Sequence, residues 1–385
     1  MNRQEYIQAI NDVIYLTCCA VGGTVPDERV WRMDLPTLYR AAERHMLTAV
    51  TAMALESAGV RDEDFSEAKN RAYRKLALME NDRKLLSERL DAAGIWYMPL
   101  KGAVLKDYYP AFGMRQMADY DILFDAARAE DVRQIMEELG FTVKSFGVTN
   151  HDIYYKEPVS NFELHRGLFG TEYDERTYRY YENVKERLIK DETSACGFRF
   201  SPDDFYIYLV AHEFKHYSKG GTGLRSLLDV YIFLNRFEKE LNAKYIAQEM
   251  EKLGLTDFEK QNRVLVQSLF GGKKLTAASR AMLEYVMFSG TYGNLGNRVQ
   301  NQVNRLGGGL KGRVKYILRR IFLPMKLVEV FFPFFYRHRI LLPLLPFYRL
   351  VRGIFSRRLP RVKAELKALR EGNNASRGKE SSLKP

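Results

Sequence analysis

A chain of 385 residues, 46% hydrophobic and 28% charged, can bury two cores and is not a disordered chain; no run approaches the roughly 20 apolar residues of a membrane-spanning helix. Three cysteines, Cys18, Cys19 and Cys196, exclude a disulfide framework and a zinc ribbon, and with no convincing secretory signal they read as a cytoplasmic protein, or one peripheral at a membrane. The net charge of +12 is local: residues 305–385 hold 20 Lys and Arg against 4 Asp and Glu, which leaves the rest mildly acidic.

The first ninety-odd residues read as helical. Asp34-Leu35-Pro36 is a helix start, and Ser66-Glu67 opens a long helix that Gly94 ends. The texture then changes. Residues 95–100 form a short apolar run, a buried strand. A helix over 102–109 stops at Pro110, and 117–124 is a second strand. Residues 126–139 place Val132, Ile135, Met136 and Leu139 on one helical face. Short strands follow at 141–146, 152–156 and 161–166, then helices at 203–217, 224–241 and 245–253. The expected fold class is therefore α+β, a small mixed sheet set between helical regions. The expected divisions are a helical region to 94, an α+β core over 95–200, a helical domain over 201–304, a basic region over 305–372 and a disordered tail over 373–385.

Within that core, Asp119 and Asp121 stand at i and i+2, so in a strand both carboxylates project from one face. Two such anions repel unless a cation lies between them. Where phosphate is the substrate that cation is Mg²⁺, with Mn²⁺ the alternative ion. Glu163, between Phe162 and Leu164, is the third carboxylate, as a metal ligand or as the base that takes the acceptor's proton. Gly102 at a strand–helix junction, with Lys101 and Arg115 as cations, is the expected nucleotide-binding set. His165 shares the face of Glu163. On its own an Asp-x-Asp is also compatible with a turn or a solvated strand edge.

The order Leu100-Lys101-Gly102, Tyr109-Pro110, Gly113-x-Arg115, Asp119-x-Asp121 resembles the polymerase-β-like nucleotidyltransferase superfamily. It is most similar to a family of uncharacterised bacterial nucleotidyltransferases with Leu-Lys-Gly where Gly-Ser is usual. The resemblance continues through Glu163-Leu164-His165 and a His212-x₃-His216…Leu224-Arg225…Asp229 pattern, over roughly residues 30–300. It implies a mixed sheet on helices, Mg²⁺, an NTP donor, and transfer of a nucleoside monophosphate to a hydroxyl or phosphate acceptor. His212 and His216 are expected either to pack the helical region against the sheet or, with Arg225 and Asp229, to line the acceptor side of the cleft, and His165 either to touch ligand there or to be a hydrogen-bonded structural histidine.

Two features pull elsewhere. His212-Glu213-x-x-His216 matches a zinc metallopeptidase motif, with both imidazoles on one helical face and Glu213 as base. Residues 310–322 form a basic amphipathic helix, and apolar runs broken by proline follow. That region reads first as helices folded back on the body. An anionic membrane surface, or nucleic acid, met through residues 310–358 is the other reading, and a non-catalytic binding protein that kept the fold remains open.

Overall fold

The computed structural model describes residues 2–170, 173–355, 360 and 362–370; the expected disordered tail lies outside the described residues. The chain forms two compact units, Met1–Lys215 with Gly223–Thr291, and His216–Thr222 with Tyr292–Pro385.

In the first unit α1 (Arg3–Gly22), α2 (Leu35–Arg44) and α3 (Thr48–Ser57) precede the long α4 (Glu63–Ala92). Local chemistry sets their ends. Asn2 and Glu5 make a capping box on α1, and Asp34 accepts from the Thr37 amide with Pro36 in the first turn of α2. The long helix starts earlier than Ser66, because the Asp62 carboxylate accepts the Phe65 amide and so supplies the cap.

Strand β1 (Tyr97–Pro99) leads to a single helical turn, α5 (Gly102–Leu105), and then β2 (Tyr120–Phe124), α6 (Ala129–Glu138), β3 (Thr142–Ser145), β4 (His151–Lys156) and β5 (Ser160–His165). The sheet order is β1-β2-β5-β4-β3, and only the β2–β5 pair is parallel. One face is a dry core. Tyr120, Ile122, Phe124, Phe162, Leu164 and Tyr154 pack against Leu76, Met79 and Leu86 of α4 and Val132 and Met136 of α6. Because side chains alternate, the facing row Asp121, Glu163 and His165 is turned away from that core.

Strand β2 is shorter at its start than the apolar pattern suggests. The residues before it have other partners: Gln116 Oε1 takes the Ala49 amide near the start of α3, at 3.1 Å, and Arg115 turns inward. The expected helix over 102–109 is only α5 followed by a 3₁₀ turn, Lys106–Tyr108.

The remaining helices of this unit include α7 (Glu175–Tyr181), which periodicity did not reveal, and α8 (Pro202–Lys219), whose last residues belong to the second unit. A two-stranded ribbon, β6 (Ile189–Lys190) with β7 (Phe198–Arg199), lies between those helices. Then come α9 (Leu224–Phe237), α10 (Ala243–Leu253), α11 (Thr256–Leu269) and α12 (Ala277–Ser289). His45, buried and held neutral by that burial, accepts the Leu224 amide on Nδ1 at 3.1 Å and so caps α9 from a segment 179 residues away.

The second unit contains α13 (Leu295–Arg305), α14 (Gly309–Ile321), α15 (Met325–Phe331), α16 (Pro333–Arg337) and α17 (Leu345–Phe355). The expectation that its helices bury their aromatic and aliphatic side chains holds for Tyr316, Val328 and Leu345 and fails for others. Val314, Ile317, Phe322 and Phe347 are all exposed. Helix α14 buries only its Gly312–Tyr316 edge, with Tyr316 against Val299 and Val303 of α13.

Candidate active site

The site is built on the face of the sheet turned away from the dry core. Register pairs Asp121 with Glu163 and Leu123 with His165, so two neighbouring parallel strands bring residues 44 apart in sequence together. Asp121 Oδ1 is 2.7 Å from His165 Nε2, and Glu163 Oε2 is 3.9 Å from the same nitrogen. Potential ligand atoms of Asp121, Glu163 and His165 all lie within 4.8 Å of one another; no other group of three metal-capable side chains that close occurs among the described residues.

Lys101 completes the cluster by an unusual backbone. It has φ +46° and ψ −116°, a conformation that costs a non-glycine residue about 1–3 kcal/mol and tends to be kept where function needs it. The bend follows directly on Leu100, whose amide donates to the Asp121 carbonyl at 3.0 Å. It carries the Lys101 ammonium to 2.9 Å from Asp121 Oδ1.

Electrostatics divides the three carboxyls. Burial alone would raise that of Asp121, but the Lys101 ammonium and the His165 hydrogen bond hold it well below the usual range. Burial, then repulsion from Asp121, raises Asp119, which stands just before β2. Burial and the charges of Asp121 and Asp119 push Glu163 up to about 7. His165 is pushed down to about 4 by burial, with Lys101 adding to it, so the ring is neutral. A neutral ring that gives Nε2–H to Asp121 leaves Nδ1 as an acceptor, and that buried nitrogen has no partner.

These residues fit a hard divalent cation. Asp121 and Glu163 converge with His165, repulsion among the acidic groups still raises Glu163 and Asp119, and Asp119, outside that close group, accepts no hydrogen bond and forms no ion pair within the described chain. Such an oxygen-rich set suits Mg²⁺.

Other residues singled out in the sequence go elsewhere. Arg115 does not reach the carboxylates as a free phosphate clamp. It is buried, with Nε 2.8 Å from Asp229 Oδ1 and Nη2 2.8 Å from Oδ2, and Tyr109 donates its hydroxyl to the same carboxylate. Asp229 is thereby occupied within the interior rather than presented to an acceptor. Gly102 serves that pair: a Cβ there would lie 2.9 Å from Arg115 Cζ. Its single-turn helix is too short to build a phosphate-binding N-terminus. Arg225 donates from Nη1 to the Gln116 carbonyl at 2.9 Å, and its charge is felt at Asp119.

Three side chains that sequence reasoning passed over border the same face. His151 of β4 is 3.7 Å from Glu163 Oε2. Lys75 of α4 acts on Asp119 by charge. Lys75 and Lys144 line an open groove of about 560 Å³ with Tyr155 and Asn161. The alternation His151, Ile153, Tyr155 along β4 carried a signal for one of these, but strand order was needed to place it.

The metallopeptidase motif does not assemble a centre. His212 and His216 do not join a third metal-capable side chain within 4.8 Å among the described residues. Glu213 points into the interior, where Asn262 Nδ2 donates to it at 2.5 Å. Burial pushes its carboxyl up to about 8, so the carboxyl carries its proton at neutral pH. Such a group favours folding fully below about pH 4.5 and loses that contribution as pH rises towards 8. Glu213→Gln is therefore expected to raise thermal stability at pH 7–8 by up to about 3 kcal/mol. It should flatten the pH dependence of stability over that window and leave activity intact. Thermal melts from pH 4.5 to 8.5 check this; a destabilised, inactive variant would restore Glu213 as a catalytic base.

A profile of the family described as uncharacterised nucleotidyltransferase matches residues 32–271, more than half of the chain. No curated protein matches the sequence. Among known structures, the crystal structure of an antigenic nucleotidyltransferase-like protein from Paracoccidioides brasiliensis is similar at 12% identity and a TM-score of 0.29; the match covers 51% of this chain and 95% of that one.

Proposed function

The chain belongs to the uncharacterised nucleotidyltransferase family, and from that premise we propose that it moves a nucleoside monophosphate from an NTP to a hydroxyl or phosphate acceptor. The observation that carries this reading is the convergence of Asp121, Glu163 and His165, with Asp119 beside them and Lys101 bent onto Asp121.

Asp119, Asp121 and Glu163 would hold Mg²⁺, or Mn²⁺ in its place. A bound ion of this kind supplies charge neutralisation at phosphate oxygens. His165 fixes Asp121 through Nε2–H, and the Lys101 ammonium offsets the negative charge of the donor. Lys75 and Lys144 in the adjoining groove offer further ammonium groups to a polyphosphate, in the role first given to Arg115. Glu163, titrating near neutral pH, is suited to take the proton of an acceptor hydroxyl. The acceptor oxygen then bonds to the α-phosphorus, the bond from that phosphorus to the bridging oxygen breaks, and pyrophosphate leaves.

The test is incubation of the protein with Mg²⁺, cell extract and each NTP labelled at either the α- or the γ-phosphate. Transfer of α-label with release of pyrophosphate is expected, and its loss in Asp119→Ala/Asp121→Ala. Transfer of γ-label alone would make the reaction a phosphoryl transfer. Label transfer unaffected by the double substitution would end the proposal.

A further inference from the structure

The second unit carries an apolar surface that its own fold leaves uncovered. Among the described residues 27 large apolar side chains stand exposed, and 17 of them lie between residues 310 and 366. Over residues 310–355 the sequence holds ten Lys and Arg against one acidic residue, Glu329.

Helix α14 shows how the two are combined. At 100° per residue Gly312 and Tyr316 form its buried edge. Leu310, Val314, Ile317, Leu318 and Ile321 form a stripe on the far side, with exposures between 42% and 78%. Lys311, Lys315 and Arg319, at i, i+4 and i+8, run along one border of that stripe; Arg313 and Arg320 lie along the other. A helix that only faced water would carry the charges on the outermost line. Here apolar side chains are outermost and cations flank them, the arrangement of a helix lying in the plane of a bilayer interface. The stripe continues into an apolar cavity of about 520 Å³, lined by Ile317, Ile321, Phe347, Leu350 and Leu366. At its rim Arg349 holds α14 in place, donating from Nη1 to the carbonyls of Arg320 and Ile321. No described helix is long and apolar enough to cross a membrane, so the feature suits a surface and not a span.

We propose that the second unit binds the surface of an anionic phospholipid bilayer, with the apolar stripe of α14 seated among the acyl chains and its flanking basic rows on the headgroup phosphates. Charge complementarity selects this occupant over a neutral apolar partner, and the outward apolar stripe selects it over nucleic acid, which would be met by the cations alone. The inference does not depend on the nucleotidyltransferase reading.

The experiment is flotation of the full-length protein with vesicles of phosphatidylcholine, alone or with phosphatidylglycerol, at low and high salt. Binding to the anionic vesicles at least tenfold tighter than to the neutral ones is expected, weakening as salt rises. Lys315→Gln/Arg319→Gln should weaken it by about thirtyfold. Ile317→Asp/Phe347→Asp should abolish partition while melting temperature and label transfer in solution stay as in the wild type. No binding at low salt, equal binding to both vesicles, or an Ile317→Asp/Phe347→Asp variant that is folded and binds normally would each overturn the proposal. So would competition by a short RNA at stoichiometric concentration.

Discussion

Asp121→Asn is expected to lower label transfer by about a hundred- to a thousandfold. The substitution keeps the shape of the side chain but removes the charge that Lys101 and His165 are arranged around, at 2.9 Å and 2.7 Å. It also removes the repulsion that raises Asp119 and Glu163. A second readout follows that needs no substrate. If the wild type binds Mg²⁺ as proposed, the ion would relieve repulsion among these carboxylates, so saturating Mg²⁺ should raise the melting temperature; at a hundredfold excess over the dissociation constant the gain is about 3 kcal/mol. Asp121→Asn should lose most of that shift, whereas Lys101→Ala should keep it and lose transfer. Calorimetry with and without Mg²⁺, paired with the label assay, measures both. Transfer within threefold of wild type in Asp121→Asn would remove the carboxylate cluster from the chemistry.

Arg115→Ala is expected to have its large effect on folding instead of on catalysis. Taking away one partner of a buried pair leaves the other charge unsolvated and costs about 3–5 kcal/mol. Here Asp229 would keep only the Tyr109 hydroxyl. Melting temperature should fall by roughly 5–15 °C. The fraction still folded at low temperature should transfer label within about threefold of wild type. The paired substitution Arg115→Met/Asp229→Leu should recover much of the loss, since an apolar pair of similar volume needs no solvation. Gly102→Ala should destabilise by the same route, because its methyl group would displace the guanidinium. A stably folded Arg115→Ala with a KM for NTP raised a hundredfold would return the arginine to the donor phosphates.

The two predictions separate residues that look alike in the sequence. Lys101 and Arg115 are both cations within one short run of motif residues, and charge alone suggests that both meet phosphate. Lys101 faces Asp121 because its backbone is bent at φ +46°. Arg115 faces away because Asp229, 114 residues later on α9, offers a bidentate carboxylate in the interior. Glu213 is a similar case: its spacing matched a zinc motif, yet its helix turns it onto Asn262.

By itself the sequence determined what is local or periodic. Alternation along 120–124 and 160–165 separates the apolar face from the face of Asp121 and Glu163. Asp34 and Gly94 mark helix ends, and the run of basic residues after 305 is separate from a mildly acidic body. Only the tertiary structure decided which strands are neighbours, which cation pairs with which carboxylate, and whether an amphipathic face is covered. Each of these depends on partners far along the chain. Periodicity fixes the direction of a side chain relative to its own element, and packing fixes what that direction meets.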